Sequence, residues 1–168
     1  TLVMLKSDHG IPVPFAKTNV WRHSTITPWI VRWPGTVAPG GTDAHLVQNL
    51  DFAPTFLEVA GIEIPDAMQG QSLVPLLRGE ELSKGEWRDS IYYRYFEVGI
   101  HAVPPHYGVR TERYKLIYYH DLKEWEMFDL ERDPDELESC FDAPEYAVVQ
   151  GELELELQRL RQVYGDVE

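Results

Sequence analysis

The tetrapeptide Ser7-Asp8-His9-Gly10 places a carboxylate beside an imidazole, directly after an apolar segment. That segment, Thr1 to Lys6, is short and rich in strand-forming residues, so it predicts a buried β-strand. Ligands of α/β sheets bind at the carboxyl ends of strands, which is where Asp8 and His9 would stand. The pair therefore predicts ligands to a divalent cation. The alternative is a turn in which both side chains make only local hydrogen bonds.

Three further residues could contact a substrate. Lys17 follows on the next stretch of chain, and an ammonium group beside a metal can contact an anionic substrate and its leaving oxygen. The alternative for Lys17 is an ordinary solvated loop lysine. His101 and His106 flank Pro104-Pro105, which stiffen either a substrate-contacting loop or a plain surface loop.

No residue of the sequence offers a convincing nucleophile. Cys140 is the single cysteine, and its acidic neighbours Glu138 and Asp142 predict a raised thiol pKa and a poor nucleophile. The Gly-x-Ser-x-Gly, P-loop and Gly-x-Gly-x-x-Gly patterns are all absent. One cysteine permits no internal disulfide, so cysteine usage leaves the compartment open.

Composition narrows the classes of partner. The 168 residues carry a formal net charge of −13, which repels phosphate backbones and argues against nucleic-acid binding. An anionic substrate stays possible, because a local cluster of cations or a metal can reverse the field in one pocket. No apolar run is long enough to span a membrane. The apolar start without a methionine predicts an interior piece of a longer chain.

Two regions of different character must position these side chains. The first alternates strand and helix signals and ends in a charged stretch, Arg78 to Arg88, that predicts a linker. Strands of such a region are expected to be buried on both faces in the whole fold. Its predicted elements are a strand over Trp29 to Trp33, a short strand over Leu46 to Leu50, and a helix that Asp51 caps and Gly61 ends.

The second region is aromatic-rich, and its short gaps predict an antiparallel meander followed by one helix. Asp142 and Glu145 predict a capping box at the start of that helix. A helix laid across a small antiparallel sheet is the expected packing. The predicted strands are Ile91 to Phe96, Tyr107 to Thr111, Lys115 to His120 and Glu124 to Phe128. The apolar stripe of the helix is Tyr146, Val149, Leu153, Leu157, Leu160 and Tyr164, with Gly165 as its end.

Several motifs in order resemble one enzyme family, the type I (formylglycine-dependent) sulfatases. Each motif is loose alone, but together they cover almost the whole chain. They are Ser7-Asp8-His9-Gly10 with Lys17, Thr27 to Gly35, Asn49 to Leu57 with Ala60-Gly61, Gly70 to Leu77, Tyr107 to Thr111 with Tyr114 to Ile117, and Phe128 to Pro134 with Glu136.

The resemblance implies an α/β fold in two parts. Residues 1–80 would be the C-terminal part of an alkaline-phosphatase-like α/β/α catalytic domain. Residues 88–168 would form a small α+β subdomain, a four-stranded antiparallel sheet with a C-terminal helix. The meander and helix predicted from the residues themselves agree with that subdomain.

The resemblance also implies a chemistry, the hydrolysis of sulfate esters or sulfamates by a formylglycine made from Cys or Ser in a C/S-x-P-x-R motif. A calcium ion binds the sulfate oxygens in this family. By position, Asp8 and His9 resemble the metal ligands and Lys17 resembles the sulfate contact. Many members have Asn in place of His9, and calcium prefers oxygen ligands, so His9 could instead contact sulfate. The family implies a periplasmic or secreted protein.

The main departure from the family is that C/S-x-P-x-R does not occur in this sequence. The formylglycine is therefore expected in a missing N-terminal half, and this chain alone is predicted to be inactive. The motifs most resemble carbohydrate sulfatases, so a sulfated glycan is the expected substrate, with the His101-to-Tyr107 loop over the pocket. The alternatives are a phosphatase, phosphodiesterase or phosphonate hydrolase of the same superfamily, or a binding remnant without activity.

Overall fold

The computed structural model of the protein describes residues 1–7, 26–96 and 103–166. The chain divides into two units. The first comprises Thr1–Leu5 and Trp29–Asp89, and the second comprises Lys6–Pro28 and Ser90–Glu168. No helix among the described residues is both long enough and apolar enough to cross a bilayer.

The first unit contains two short strands, β1 (Val3–Lys6) and β2 (Trp29–Arg32), which form a two-stranded sheet. Both strands were expected from the sequence. Burial on both faces was predicted for the whole fold only, and in this chain Val3, Leu5 and Ile30 are exposed. A strand is buried on both faces only where other elements cover both, so strand propensity alone could not decide this.

The helical part of the first unit begins with a 3₁₀ turn, Asn49–Asp51, and continues as α1 (Phe52–Val59) and α2 (Val74–Arg78). The predicted strand over Leu46 to Leu50 is therefore wrong. The Asp51 carboxylate accepts the backbone N–H of Gln48 at 2.7 Å, which favours a tight turn over an extended chain.

The second unit is built on an antiparallel sheet in the order β3-β4-β5-β6, as the sequence predicted. In the register of β3 against β4, Tyr95 lies opposite His106 and Tyr93 lies opposite Gly108. Antiparallel neighbours that follow one another in sequence need no crossover, which is why a local pattern was enough to predict them. The strands are β3 (Ser90–Tyr95), β4 (His106–Thr111), β5 (Tyr114–Tyr119) and β6 (Glu124–Asp129).

The helix α3 (Ala147–Val163) covers one face of this sheet. Leu153, Leu157 and Leu160 are buried against Val109, Leu116 and Met127 of the strands, which confirms the predicted stripe. The predicted capping box is wrong. Asp142 has a positive φ of 61°, and Ala143 precedes the short 3₁₀ turn Pro144–Tyr146 that leads into α3.

The opposite face of the sheet carries a second and smaller apolar cluster. Ile117, Tyr119 and Phe128 are its buried members, and Tyr93 packs against them. Successive strand residues point to opposite faces, so Tyr93, Tyr95, His106 and Tyr119 share this face. The one predicted site residue that the structure describes lies here.

Candidate functional site

The structure describes only one of the residues predicted to do chemistry. Asp8, His9, Lys17 and His101 lie outside the described residues, and their predicted roles stay predictions. His106 is described. Within residues 1–7, 26–96 and 103–166, no group of three or more His, Cys, Asp and Glu side chains is placed to hold a metal ion.

His106 is the first residue of β4, and its side chain is fully buried, with 0% of its surface exposed. Its ring stacks on Tyr93 and on Tyr95, with centroid distances of 5.7 Å and 5.6 Å. Tyr119 lies against the same ring at 5.2 Å in a tilted arrangement. The sequence placed His106 at the end of a loop, but the structure encloses it among three tyrosine rings, which we call the tyrosine cluster.

At Gly108 the backbones of β4 and β5 approach closely. A Cβ atom at Gly108 would lie 2.5 Å from the carbonyl oxygen of Leu116 and 3.3 Å from Cα of Ile117, so no other residue fits without a shift. Tyr93 lies opposite Gly108 in the register. Tyr93 also stacks on His106, which lies two residues before Gly108 in β4.

The two ring nitrogens of His106 are in different environments. Nδ1 lies 2.8 Å from the carbonyl oxygen of Pro104, and a carbonyl can only accept, so Nδ1 carries the hydrogen. Nε2 is buried and has no hydrogen-bond partner among the described residues. Burial lowers the pKa of His106 below its ordinary value of 6.5, partly opposed by the Pro104 hydrogen bond. The ring is therefore neutral at pH 7, with Nε2 as an acceptor.

The segment before β4 is held in an unusual way. Val103 and Pro105 are buried, while Pro104 is half-buried. Proline has no backbone N–H, so neither Pro104 nor Pro105 can donate a backbone hydrogen bond to the sheet. The His106 imidazole supplies a hydrogen bond to this segment from its own side chain.

A second buried polar group lies in the first unit, and the sequence did not single it out as a centre. The Asp51 side chain is 0% exposed and accepts two hydrogen bonds from Arg88, at 2.5 Å and 2.6 Å. It also accepts the backbone N–H groups of Gln48 and Gln71. Asp51 was expected to cap α1, but its carboxylate instead joins three separate parts of the unit.

Thr55 extends this network, which we call the Asp51 network. Its hydroxyl donates to the Asp51 carbonyl at 2.5 Å and accepts the backbone N–H of Leu73 at 2.8 Å. Nearby, a Cβ on Gly70 would lie 2.1 Å from the Leu50 carbonyl oxygen. The motifs around Asp51, Thr55 and Gly70 thus hold the 70–73 segment against α1. All of these contacts are structural ones.

The prediction of a simple linker over Arg78 to Arg88 needs correction at Trp87 and Arg88. The Trp87 indole donates to the Leu46 carbonyl at 2.9 Å, and its side chain is buried. The end of this stretch is therefore anchored within the first unit. A Trp-Arg pair in a charged stretch was the signal that could have predicted such anchoring.

Two further ionisable groups of the second unit have shifted pKa values. Asp129 receives a bidentate pair of hydrogen bonds from Arg113 and one from the Tyr146 hydroxyl. The Arg113 hydrogen bonds lower the pKa of Asp129 to about 2. Burial, more than the neighbouring carboxylates, raises the pKa of the Cys140 thiol. The direction agrees with the prediction that Cys140 is a poor nucleophile.

The chain matches a family model described as N-sulphoglucosamine sulphohydrolase, C-terminal, over residues 8–163. Among curated proteins, N-acetylglucosamine-6-O-sulfatase of Bacteroides thetaiotaomicron is 39% identical, over 99% of this chain and 31% of that relative. Human arylsulfatase K is 32% identical, over 82% of this chain and 27% of its own length. The chain thus spans about a third of these relatives and matches their C-terminal part.

The chain also superposes on parts of solved hydrolase structures. One, described as a complex with its substrate D-glucosamine-2-N,6-O-disulfate, superposes with a TM-score of 0.93 at 37% identity, covering 99% of this chain and 35% of that one. Phosphonate monoester hydrolase of Agrobacterium radiobacter superposes with a TM-score of 0.76 at 26% identity, covering 96% and 35%. The meander and its helix therefore belong to an arrangement that more than one hydrolase uses.

Proposed function

The chain belongs to the sulfatases, and from that premise we propose that it is the C-terminal part of an enzyme that hydrolyses sulfate esters on glycans. The observation that carries the proposal is the 39% identity to a glycan sulfatase over 99% of the chain. Motif order in the sequence points the same way. The described residues contribute the small sheet-and-helix unit and the Asp51 network, and the chemistry itself needs residues beyond them.

We propose a glucosamine that carries a 6-O-sulfate as the substrate class. Two relatives support it: the Bacteroides thetaiotaomicron protein is named for N-acetylglucosamine-6-O-sulfate, and a solved neighbour is a complex with a 2-N,6-O-disulfated glucosamine. A net charge of −13 makes a local cation necessary wherever such an anion binds.

Within this chain, we propose that Lys17 contacts the sulfate and that Asp8 and His9 are calcium ligands. The Lys17 ammonium would bind a sulfate oxygen and steady the charge on the departing oxygen. When bound, calcium would neutralise charge on the non-bridging oxygens. His106, Pro104 and Pro105 would belong to the side of the pocket that reads the sugar.

The nucleophile is proposed to lie outside this chain, as a formylglycine. Cys140 is a poor substitute, because burial raises the pKa of its thiol and keeps the thiol protonated near neutral pH. The phosphonate hydrolase alternative has a shared fold behind it, but its relative is 26% identical, against 39% for the glycan sulfatase.

The test measures sulfate release from N-acetylglucosamine-6-sulfate by the full-length protein that contains this chain. We expect turnover by the full-length protein, none by residues 1–168 alone, and loss of activity with a calcium chelator that added calcium restores. Lys17→Ala should lower the rate about 10²- to 10³-fold, the effect of removing one preorganised charged donor.

Lys84→Ala is the matched control, because Lys84 is an exposed lysine of the described part of the chain and should leave the rate unchanged. Full activity of Lys17→Ala would remove Lys17 from the site. Turnover of a phosphonate monoester in preference to the sulfate ester would favour the alternative function instead.

A further inference from the structure

We propose that His106 is a positioning residue for the sulfatase reaction: its Nδ1–H fixes the Val103–Pro105 segment at the start of β4, and it does not itself touch the substrate. The inference rests on the proposed function, in which this segment flanks the sugar. A positioning role uses the Nδ1–H of His106, whereas direct recognition of the substrate would use Nε2.

Pro104 and Pro105 have no backbone N–H, so only Val103 of this segment can donate a backbone hydrogen bond. The 2.8 Å hydrogen bond from Nδ1 to the Pro104 carbonyl ties it down from a side chain that β4 itself supplies. Burial of Val103 and Pro105 then fixes the remaining freedom of the segment.

The imidazole ring must itself be immobile to hold the segment in place. The tyrosine cluster encloses it: Tyr95 is directly opposite in the register, Tyr93 stacks beside it and Tyr119 contacts it from β5. Stacked and tilted ring contacts of this kind are favourable beyond the area that they bury. One imidazole therefore links the last residue of β3, the Pro104 carbonyl and β5.

The His106 ring is also closed to direct contact with a substrate. The His106 side chain is 0% exposed, so a sugar cannot reach the ring in the described arrangement. His106 therefore acts on its surroundings through the Val103–Pro105 segment that it holds. A direct contact would instead have to use Nε2, the nitrogen that has no partner among the described residues.

The experiment exploits the geometry of two amides. Asn places its amide nitrogen close to the position of Nδ1, whereas Gln places it close to that of Nε2. The variants His106→Asn, His106→Gln and His106→Phe are made in the full-length protein, where Phe keeps a stacking ring without a donor. KM and kcat for N-acetylglucosamine-6-sulfate are measured, together with hydrogen exchange of the Val103 and Tyr107 amides.

We expect KM to rise about five- to tenfold in His106→Gln and His106→Phe, the effect of one lost hydrogen bond, with kcat nearly unchanged. His106→Asn should stay within about threefold of wild type, since it keeps the donor to Pro104. Amide exchange at Val103 and Tyr107 should be faster in the Gln and Phe variants than in Asn.

If His106→Gln keeps the wild-type KM and His106→Asn does not, Nε2 contacts the substrate and the proposal is overturned. Equal KM values in all variants, with only a lower melting temperature, would reduce His106 to a core residue. If the wild-type protein itself releases no sulfate, the proposed function fails; the exchange rates of Asn against Gln then still decide whether Nδ1 holds the segment.

Discussion

Asp51 and His106 are both fully buried polar residues, but their surroundings differ in kind. The Asp51 carboxylate accepts two bonds from Arg88 and two from backbone N–H groups. His106 donates one hydrogen bond, to Pro104, and is otherwise packed among tyrosine rings. The hydrogen bonds at Asp51 satisfy its buried carboxylate completely. The neutral His106 ring is held in place by a single hydrogen bond and by packing.

The difference separates a structural polar centre from a candidate functional one. A buried charge is tolerated only when it is paired and hydrogen-bonded, and the Asp51 network meets that condition within its own unit. The His106 ring is held by packing, but it is neutral and its Nε2 lacks a partner among the described residues, so its protonation can respond to pH. The family motifs around Asp51 thus maintain the fold, while His106 lies where the sugar side of the pocket is proposed.

The largest expected effect is that of Arg88→Ala. It leaves the Asp51 carboxylate buried without its cation, which should destabilise the first unit by about 3–5 kcal/mol. Urea unfolding of the full-length protein measures the loss, and faster exchange of the Gln71 amide localises it. Arg78→Ala is the control, because the Arg78–Glu80 pair is exposed and should contribute less than about 1 kcal/mol. A loss below 1 kcal/mol for Arg88→Ala would show that the network does not depend on its charge.

Thr55→Val should have the next largest effect. The valine is nearly isosteric, but it leaves the buried N–H of Leu73 without an acceptor, at a cost of about 1–3 kcal/mol. The Leu73 amide should exchange faster. Thr55→Ser keeps the hydroxyl and should preserve the protection of that amide even though it loses a methyl group. Equal exchange in the Val and Ser variants would contradict the role assigned to the hydroxyl.

The smallest effect concerns pH, and it should appear only in the second unit. Burial lowers the pKa of His106 below 6.5, so the unfolded chain binds a proton first as the pH falls. Stability should therefore decrease below about pH 6.5, by at most about 1.4 kcal/mol per pH unit. His106→Phe has no such proton to bind, and its loss of stability between pH 7 and 5 should be smaller than that of wild type. Parallel pH profiles for the two proteins would rule out His106 as the source.

The sequence predicted much of the second unit for a physical reason. Its strands pair in sequence order, with short turns between β4, β5 and β6, and the leucines of α3 recur on one face, so both patterns are local. The errors also have local causes. The capping box at Asp142 is wrong because that residue adopts a positive φ, and the strand over Leu46 to Leu50 is wrong because the Asp51 carboxylate holds the backbone in a turn.

The candidate site was less predictable than the fold. Its residue types were visible in the sequence, and His106 was among them, but its burial and its tyrosine neighbours were not. Asp8, His9 and Lys17 lie outside the described residues, so their roles rest on the resemblance and on the proposed experiment. Arg88 was overlooked because its partner Asp51 lies 37 positions away in the sequence.

The amino-acid order by itself determined the meander, the helix that follows it and the membership in the sulfatases, because these depend on spacing and on motif order along the chain. Only the tertiary structure decided which polar groups meet. Arg88 reaches Asp51 across 37 positions, and His106 lies among tyrosines from β3 and β5. Such pairs depend on register and packing, which bring distant residues together without leaving a periodic trace in the sequence.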